Sequence, residues 1–235
     1  MSALPYTLDV DDPKAPPMGL IVLQTDETIE PEFKAHFASE SCPIYVSRIP
    51  SGATVTTDSL AGMGIALPAA ADLLPKARPY RVVGYGCTSA SSVIGSDRVE
   101  KMVQSACDVA TVTNPLRAAA AYAKDLGVSK LALLSPYIEE VNEPLRRAFA
   151  RDGLTTDVFG TFGEADEAKV VRISTASVVE AAADMGSDPT VEAVFLSCTN
   201  LRTLAAVPLI ETRISKPVLS SNLCLAWHMK RLNTP

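Results

Sequence analysis

Two stretches of this chain end an apolar run in a cysteine followed by threonine. The run 80–86 leads into Cys87-Thr88-Ser89, and the run 191–196 leads through Ser197 into Cys198-Thr199-Asn200. The two cysteines lie 198 − 87 = 111 residues apart, close to half of the 235-residue chain. A thiol becomes a nucleophile and proton carrier once deprotonated, and the N–H groups at a helix start favour that state. The same N–H groups cradle carboxylates. Two facing motifs would set a sulfur on either side of one small acid. One sulfur could take a proton α to a carboxylate while the other delivers one to the opposite face. Alternatively, one thiolate could add to an activated carbon and permit bond rotation or loss of a group. Neither route needs a metal, nucleotide or pyridoxal phosphate, so no cofactor is expected. A cysteine after a buried strand is also an ordinary small apolar filler; the matched pair is what favours chemistry. Cys42, Cys107 and Cys224 lack that context and read as structural.

The elements that would position these cysteines alternate short β-branched runs with longer amphipathic segments, the pattern of an α/β fold with parallel strands. Strands are expected at 19–23, 44–47 and 80–86. A helix should start near Thr28, with Glu30 and Glu32 in its first turn. Residues 57–74 have helical spacing, which Pro68 should break or kink. The pattern restarts at Asn114: Pro115 suits a first turn, and the helix 116–126 is closed by Gly127. Strands at 130–134, 155–158, 191–196 and 217–219 then alternate with helices at 138–151 and 176–185, before a terminal helix through Trp227. The halves suggest duplication of one α/β unit. The expected domains are 1–114, with a C-terminal helix 220–235 packing back on it, and 115–219. In such sheets ligands bind beyond the carboxyl ends of the strands, where both cysteines fall.

Bulk properties narrow the function classes. Apolar residues make up 47% and charged residues 20%, an ordinary globular composition. A net charge of −6 argues against nucleic acid. Five dispersed cysteines without a CxxC, and two distant histidines, His36 and His228, argue against a disulfide framework and a metal site. No run approaches the roughly 20 apolar residues of a membrane span. The N-terminus lacks signal-peptide order, so a cytoplasmic location and no membrane partner are expected. Gly62-Met63-Gly64 lacks the third glycine of a dinucleotide fingerprint. His228 reads as a packing residue, and Asp9-Val10-Asp11-Asp12-Pro13 as a solvated arm able to touch a neighbouring subunit.

The chain resembles the aspartate/glutamate racemase superfamily, within it the maleate cis–trans isomerase, arylmalonate decarboxylase and ectoine-utilisation branch. It is most similar to the ectoine-utilisation, maleate isomerase-like proteins. The residues that carry this are Gly19-Leu20-Ile21-Val22, Gly84-Tyr85-Gly86-Cys87-Thr88-Ser89-Ala90-Ser91, Leu134-Ser135-Pro136-Tyr137, Leu196-Ser197-Cys198-Thr199-Asn200, and Ser220-Ser221-Asn222 followed by Ala226-Trp227-His228. The resemblance implies two pseudo-symmetric Rossmann-like domains with parallel sheets and the active site in the cleft between them. It implies Cys87 and Cys198 as the catalytic pair, the first as nucleophile and the second as proton donor. Thr88, Ser89, Tyr137, Thr199 and Asn200 would surround a small carboxylic-acid substrate. Decarboxylase members keep only one of the two cysteines, so both together favour racemase or isomerase chemistry. Members are commonly dimers or larger, which implies a homo-oligomer.

Two positions depart from the isomerase pattern. Asp26 stands where isomerases place a substrate-contacting asparagine, and Glu167, in Asp166-Glu167, stands at a second asparagine position. Acids there would repel a dicarboxylate and welcome an ammonium or amide N–H, which points to a nitrogen-bearing carboxylic acid such as an amino acid. The alternative is that both acids cap helices or face solvent.

Overall fold

The computed structural model describes residues 3–9, 16–40 and 42–234. The acidic arm expected at 9–13 lies, beyond Asp9, outside the described residues. The first half contains β1 (Met18–Leu23), α1 (Ile29–His36), β2 (Ile44–Ile49), α2 (Thr57–Asp72), β3 (Tyr80–Gly86), α3 (Thr88–Ile94), α4 (Ser96–Gln104) and β4 (Val109–Thr113). The second contains α5 (Pro115–Leu126), β5 (Leu131–Ser135), α6 (Glu139–Arg151), β6 (Phe159–Thr161), α7 (Glu167–Val170), α8 (Thr175–Gly186), β7 (Ala193–Leu196), α9 (Ala206–Ile214) and β8 (Val218–Ser220), followed by α10 (Ser221–Asn233).

Both sheets are parallel and four-stranded, in the orders β2-β1-β3-β4 and β6-β5-β7-β8. The fold is therefore α/β with two like units, and each cysteine follows the third strand of its sheet. Helices cover both faces, so the central strands are apolar without alternation: every residue of β1, β5 and β7 is buried. One buried apolar cluster includes Tyr85, Cys87, Tyr137, Leu196 and Cys198, linking the strand ends of both halves. The helix α10 packs mainly on α5 and β3, and also meets α1, β4 and β8. Among the described residues no helix is long and apolar enough to cross a membrane.

Three expectations need correcting. Pro68 does not end its helix: α2 continues to Asp72 because Leu67, Ala70 and Ala71 are buried on either side of the proline. The strand expected at 155–158 lies instead at Phe159–Thr161, with only an isolated bridge between Lys130 and Thr155. The intervening ladder is interrupted where the Thr156 carbonyl and hydroxyl accept from the Arg146 guanidinium. Finally, β4 and the helices α4, α7 and α9 stand where the sequence reading assigned no element; they run to 5, 9, 4 and 9 residues.

Candidate active site

Cys87 closes β3 and caps α3, its Sγ accepting the Ala90 N–H at 3.3 Å. Strand β3 reaches this point between β1 and β4 because Gly86 carries no side chain. A Cβ there would stand 2.6 Å from Ile29 Cδ1 and 3.3 Å from the Ile21 carbonyl. Thr88 is buried with its hydroxyl 2.8 Å from that of Ser221, and Ser89 is buried beside the cavity described below.

Cys198 follows β7 differently. No helix starts at this turn: α9 begins only at Ala206. Residues 199–204 are instead held by groups of the first half and α10. Thr28 Oγ1 donates to the Asn200 carbonyl (2.9 Å), and Asn222 Nδ2 to the Thr199 carbonyl (2.8 Å). Glu32 accepts from the Thr203 N–H (2.7 Å), the Leu204 N–H (2.9 Å) and the Thr203 hydroxyl (3.1 Å). Cys198 itself adopts φ = +92°, a conformation disfavoured for a side-chain-bearing residue. Its Sγ accepts the Asn200 N–H at 3.3 Å. The two cysteine turns meet: the Thr199 hydroxyl donates to the Gly86 carbonyl at 3.2 Å, one residue from each thiol.

Tyr137, at the turn after β5, stands with its hydroxyl oxygen 2.9 Å from Cys198 Sγ and donates to Glu167 Oε1 at 2.6 Å. Glu167 Oε2 accepts from Asn200 Nδ2 (2.7 Å), while Asn200 Oδ1 accepts the Glu27 N–H (2.9 Å). Asp26 serves α1: its Oδ1 accepts the N–H groups of Thr28 and Ile29, both at 2.8 Å. Its Oδ2 is buried without a partner, the nearby Thr199 hydroxyl being turned to Gly86. Thus Asp26 caps a helix, as its alternative reading held, yet neither acid faces solvent: both are 3% exposed.

Burial sets the proton affinities here. It pushes the Asp26 and Glu167 carboxyls above their ordinary values, against the hydrogen bonds that favour their charged forms. It also lifts Cys87 to about 12 and Cys198 well above the ordinary thiol value, with Glu167 and Asp26 adding repulsion in both cases. The closed site therefore holds two thiols rather than two thiolates. Thr25, Ser51, Met63, Cys87, Tyr137 and Glu167 are among the residues around a cavity of about 20 Å³. Two of its wall segments, the one after β2 and the one leading into α7, are joined by hydrogen bonds: the Val55 N–H donates to the Ala165 carbonyl (2.9 Å) and the Glu167 N–H to the Ala53 carbonyl (3.0 Å).

Glu32, Thr28 and Ser221, which lock the two cysteine turns, were not read from the sequence as residues of the site. Glu32 gave only the signal of an acid in a first helical turn. His228 packs as expected, its Nδ1 2.8 Å from the Thr113 hydroxyl and its ring stacked on Trp227. Gly62 and Gly64 lie inside α2. Among the described residues no group of histidine, cysteine and acidic side chains could hold a metal ion.

Comparison with known proteins places this geometry. A maleate isomerase from Pseudomonas putida S16, solved with maleate, superposes with a TM-score of 0.79 at 21% identity, covering 93% of this chain and 92% of the other. A maleate cis–trans isomerase from Nocardia farcinica, a cysteine-to-serine mutant with a covalently bound succinylcysteine intermediate, gives 0.80 at 24% identity over 94% of each chain. A liganded two-site mutant of arylmalonate decarboxylase gives 0.80 at 27% identity, covering 93% and 92%. In sequence, the arylmalonate decarboxylase of Bordetella bronchiseptica is 34% identical over 122 residues, 52% of this chain and about half (48%) of that relative. The arylmalonate decarboxylase family model matches residues 55–234, spanning both cysteine turns, two of the four strands of the first sheet and all of the second, and the chain belongs to that family.

Proposed function

We propose that this protein is a cofactor-independent isomerase or racemase of a small carboxylic acid, using Cys87 and Cys198 as its two proton-transferring thiols. One observation carries the reading: two buried thiols end the equivalent third strands of two like sheets, and their turns are tied by the Thr199–Gly86 hydrogen bond. A carbon acid between them would have one sulfur available to remove a proton and another to return one. Ser89, on the cavity wall, would hold the substrate carboxylate, and Tyr137, also on that wall, would contact the substrate from the Glu167 side. Thr88, Thr199 and Asn200 act through the turns they fix.

The substrate in this proposal carries nitrogen. Glu167 lies on the cavity wall and Asp26 raises the proton affinity of both thiols from nearby. A second carboxylate on the substrate would meet repulsion of roughly 1–4 kcal/mol at about 4 Å. An ammonium or amide N–H would instead meet an acceptor. The ectoine-utilisation likeness of the terminal motifs suggests an acid of ectoine or amino-acid breakdown. The proposal includes a homo-oligomer and domains at 1–114, with 220–235 returned to it, and 115–219.

A second reading, decarboxylation of a malonate-type acid, is favoured by the 34% identical relative. Proton NMR in D₂O separates these. The panel is maleate, aspartate, glutamate, diaminobutyrate, its N-acetyl forms and an arylmalonate. Isomerisation or α-deuteration of a nitrogen-bearing acid, abolished by Cys87→Ser and by Cys198→Ser, is the expected result. Carbon dioxide release from the malonate would establish the decarboxylase instead. Ordinary turnover of maleate would remove the nitrogen requirement, and binding without exchange would leave a non-catalytic acid-binding protein.

A further inference from the structure

Glu167 has a partner on each oxygen, and one of them leads to a thiol. Its Oε2 accepts from Asn200 Nδ2, its Oε1 accepts from the Tyr137 hydroxyl, and the Tyr137 oxygen stands 2.9 Å from Cys198 Sγ. Asn200 is itself fixed by the Glu27 N–H, so the carboxylate is held in line. Tyr137, Glu167 and Cys198 are all buried, which shields this chain of atoms from bulk solvent.

A tyrosine hydroxyl donates one hydrogen and accepts through its lone pairs. With the carboxylate charged, Tyr137 donates to Glu167 and accepts the Cys198 S–H. With the sulfur charged, the order reverses: protonated Glu167 donates to Tyr137, and Tyr137 donates to the sulfur. Neither state orphans a buried polar group, whereas losing one such bond would cost about 1–3 kcal/mol.

The geometry points to a proton relay in which Glu167, acting through the Tyr137 hydroxyl, takes and returns the proton of Cys198. In the forward step the Cys198 S–H bond breaks and its proton passes to the Tyr137 oxygen, while the Tyr137 hydrogen passes to Glu167 Oε1. The electron pair stays on sulfur, so the negative charge moves from carboxylate to thiolate and nothing is oxidised or reduced. The relay rests on the two-thiol reading and deepens it. Cys198 becomes the sulfur that acts first as base. Cys87, whose sulfur rests on the Ala90 N–H, becomes the proton donor. This order is the reverse of that implied by the maleate isomerase resemblance.

The surroundings of Glu167 suit a proton store. Burial raises its affinity, Tyr137 and Asn200 lower it, and Asp26 from the turn before α1 and Asp166 beside it raise it again. Cys87 and Cys198 complete the titratable groups coupled to it. Tyr137 is held neutral by its burial, as a relay must be.

Alkylation by iodoacetamide tests this without a substrate. The rates at Cys198 and Cys87 are read together by mass spectrometry from about pH 5.5 to about pH 9, in wild type, Glu167→Gln and Tyr137→Phe. The Cys198/Cys87 ratio cancels differences in opening of the site. With the relay, that ratio falls about tenfold or more in both variants, and Cys198 acquires a hydroxide dependence that wild type lacks. A carboxylate that only repels the thiolate gives the opposite sign, a ratio that rises in Glu167→Gln. A rise or no change in either variant overturns the relay. Failure here leaves the isomerase reading standing, and silence in the deuterium experiment leaves the relay standing.

Discussion

Asp26 spends one carboxylate oxygen on the Thr28 and Ile29 N–H groups at the start of α1 and leaves the other buried and unpaired. Replacement by asparagine keeps the cap and turns the orphaned acceptor into a donor able to reach the Thr199 hydroxyl. A stability gain of about 1–3 kcal/mol is expected at neutral pH. The sign follows from linkage. The folded carboxyl binds its proton more tightly than the unfolded one, so its contribution is full below the ordinary aspartate range and is lost as pH rises through the folded value. The Asp26→Asn advantage in melting temperature should therefore be small in acid and grow toward neutrality; an advantage that shrinks with pH would contradict the burial argument. At this scale the two cysteines were legible because type and spacing coincide with strand ends. The pairing of Glu167 with Tyr137 was not, because the two residues lie 30 apart in sequence and meet only through the turns after β5 and before α7.

The helix α1 does more than cover a sheet. Glu32, on its first turn, accepts from the Thr203 and Leu204 N–H groups, the Thr203 hydroxyl and Asn222 Nδ2 (2.9 Å), so the first half holds the Cys198 turn. Glu32→Ala orphans the buried Thr203 N–H, while the Thr203 hydroxyl keeps Ser220 and Asn222 Nδ2 keeps the Thr199 carbonyl. A loss of about 1–3 kcal/mol is expected, visible as a lower urea midpoint. Gly86→Ala brings a Cβ against Ile29 and the Ile21 carbonyl, displacing α1 from β3. Activity and urea stability should fall together; unchanged values would show that α1 yields freely. Strands were legible wherever burial on both faces made them continuously apolar. The α9 start was not, since the segment before it answers to side chains from distant parts of the chain. Pro68 misled because a local breaker was overruled by packing on both sides.

The two halves share one strand order, place one thiol apiece, and meet through the Thr199–Gly86 bond and the Glu32 network. Duplication of the α/β unit was legible from the repeated apolar-run–Cys-Thr pattern, but the interlocking of the halves was not, because its donors and acceptors come from unlike segments. The cavity between them, at about 20 Å³, has room for little more than a water molecule. On the proposed function a carboxylic acid of several carbons needs this cavity to open, and parting of the Val55–Ala165 and Ala53–Glu167 bonds between its wall segments is the expected way. That would place a conformational step before and after the proposed proton transfers, and such steps often set turnover. On this structure kcat should decline as sucrose raises solvent viscosity, and α-deuteration of the substrate should barely slow it. The protein's speed would then be a property of its opening rather than of its sulfur.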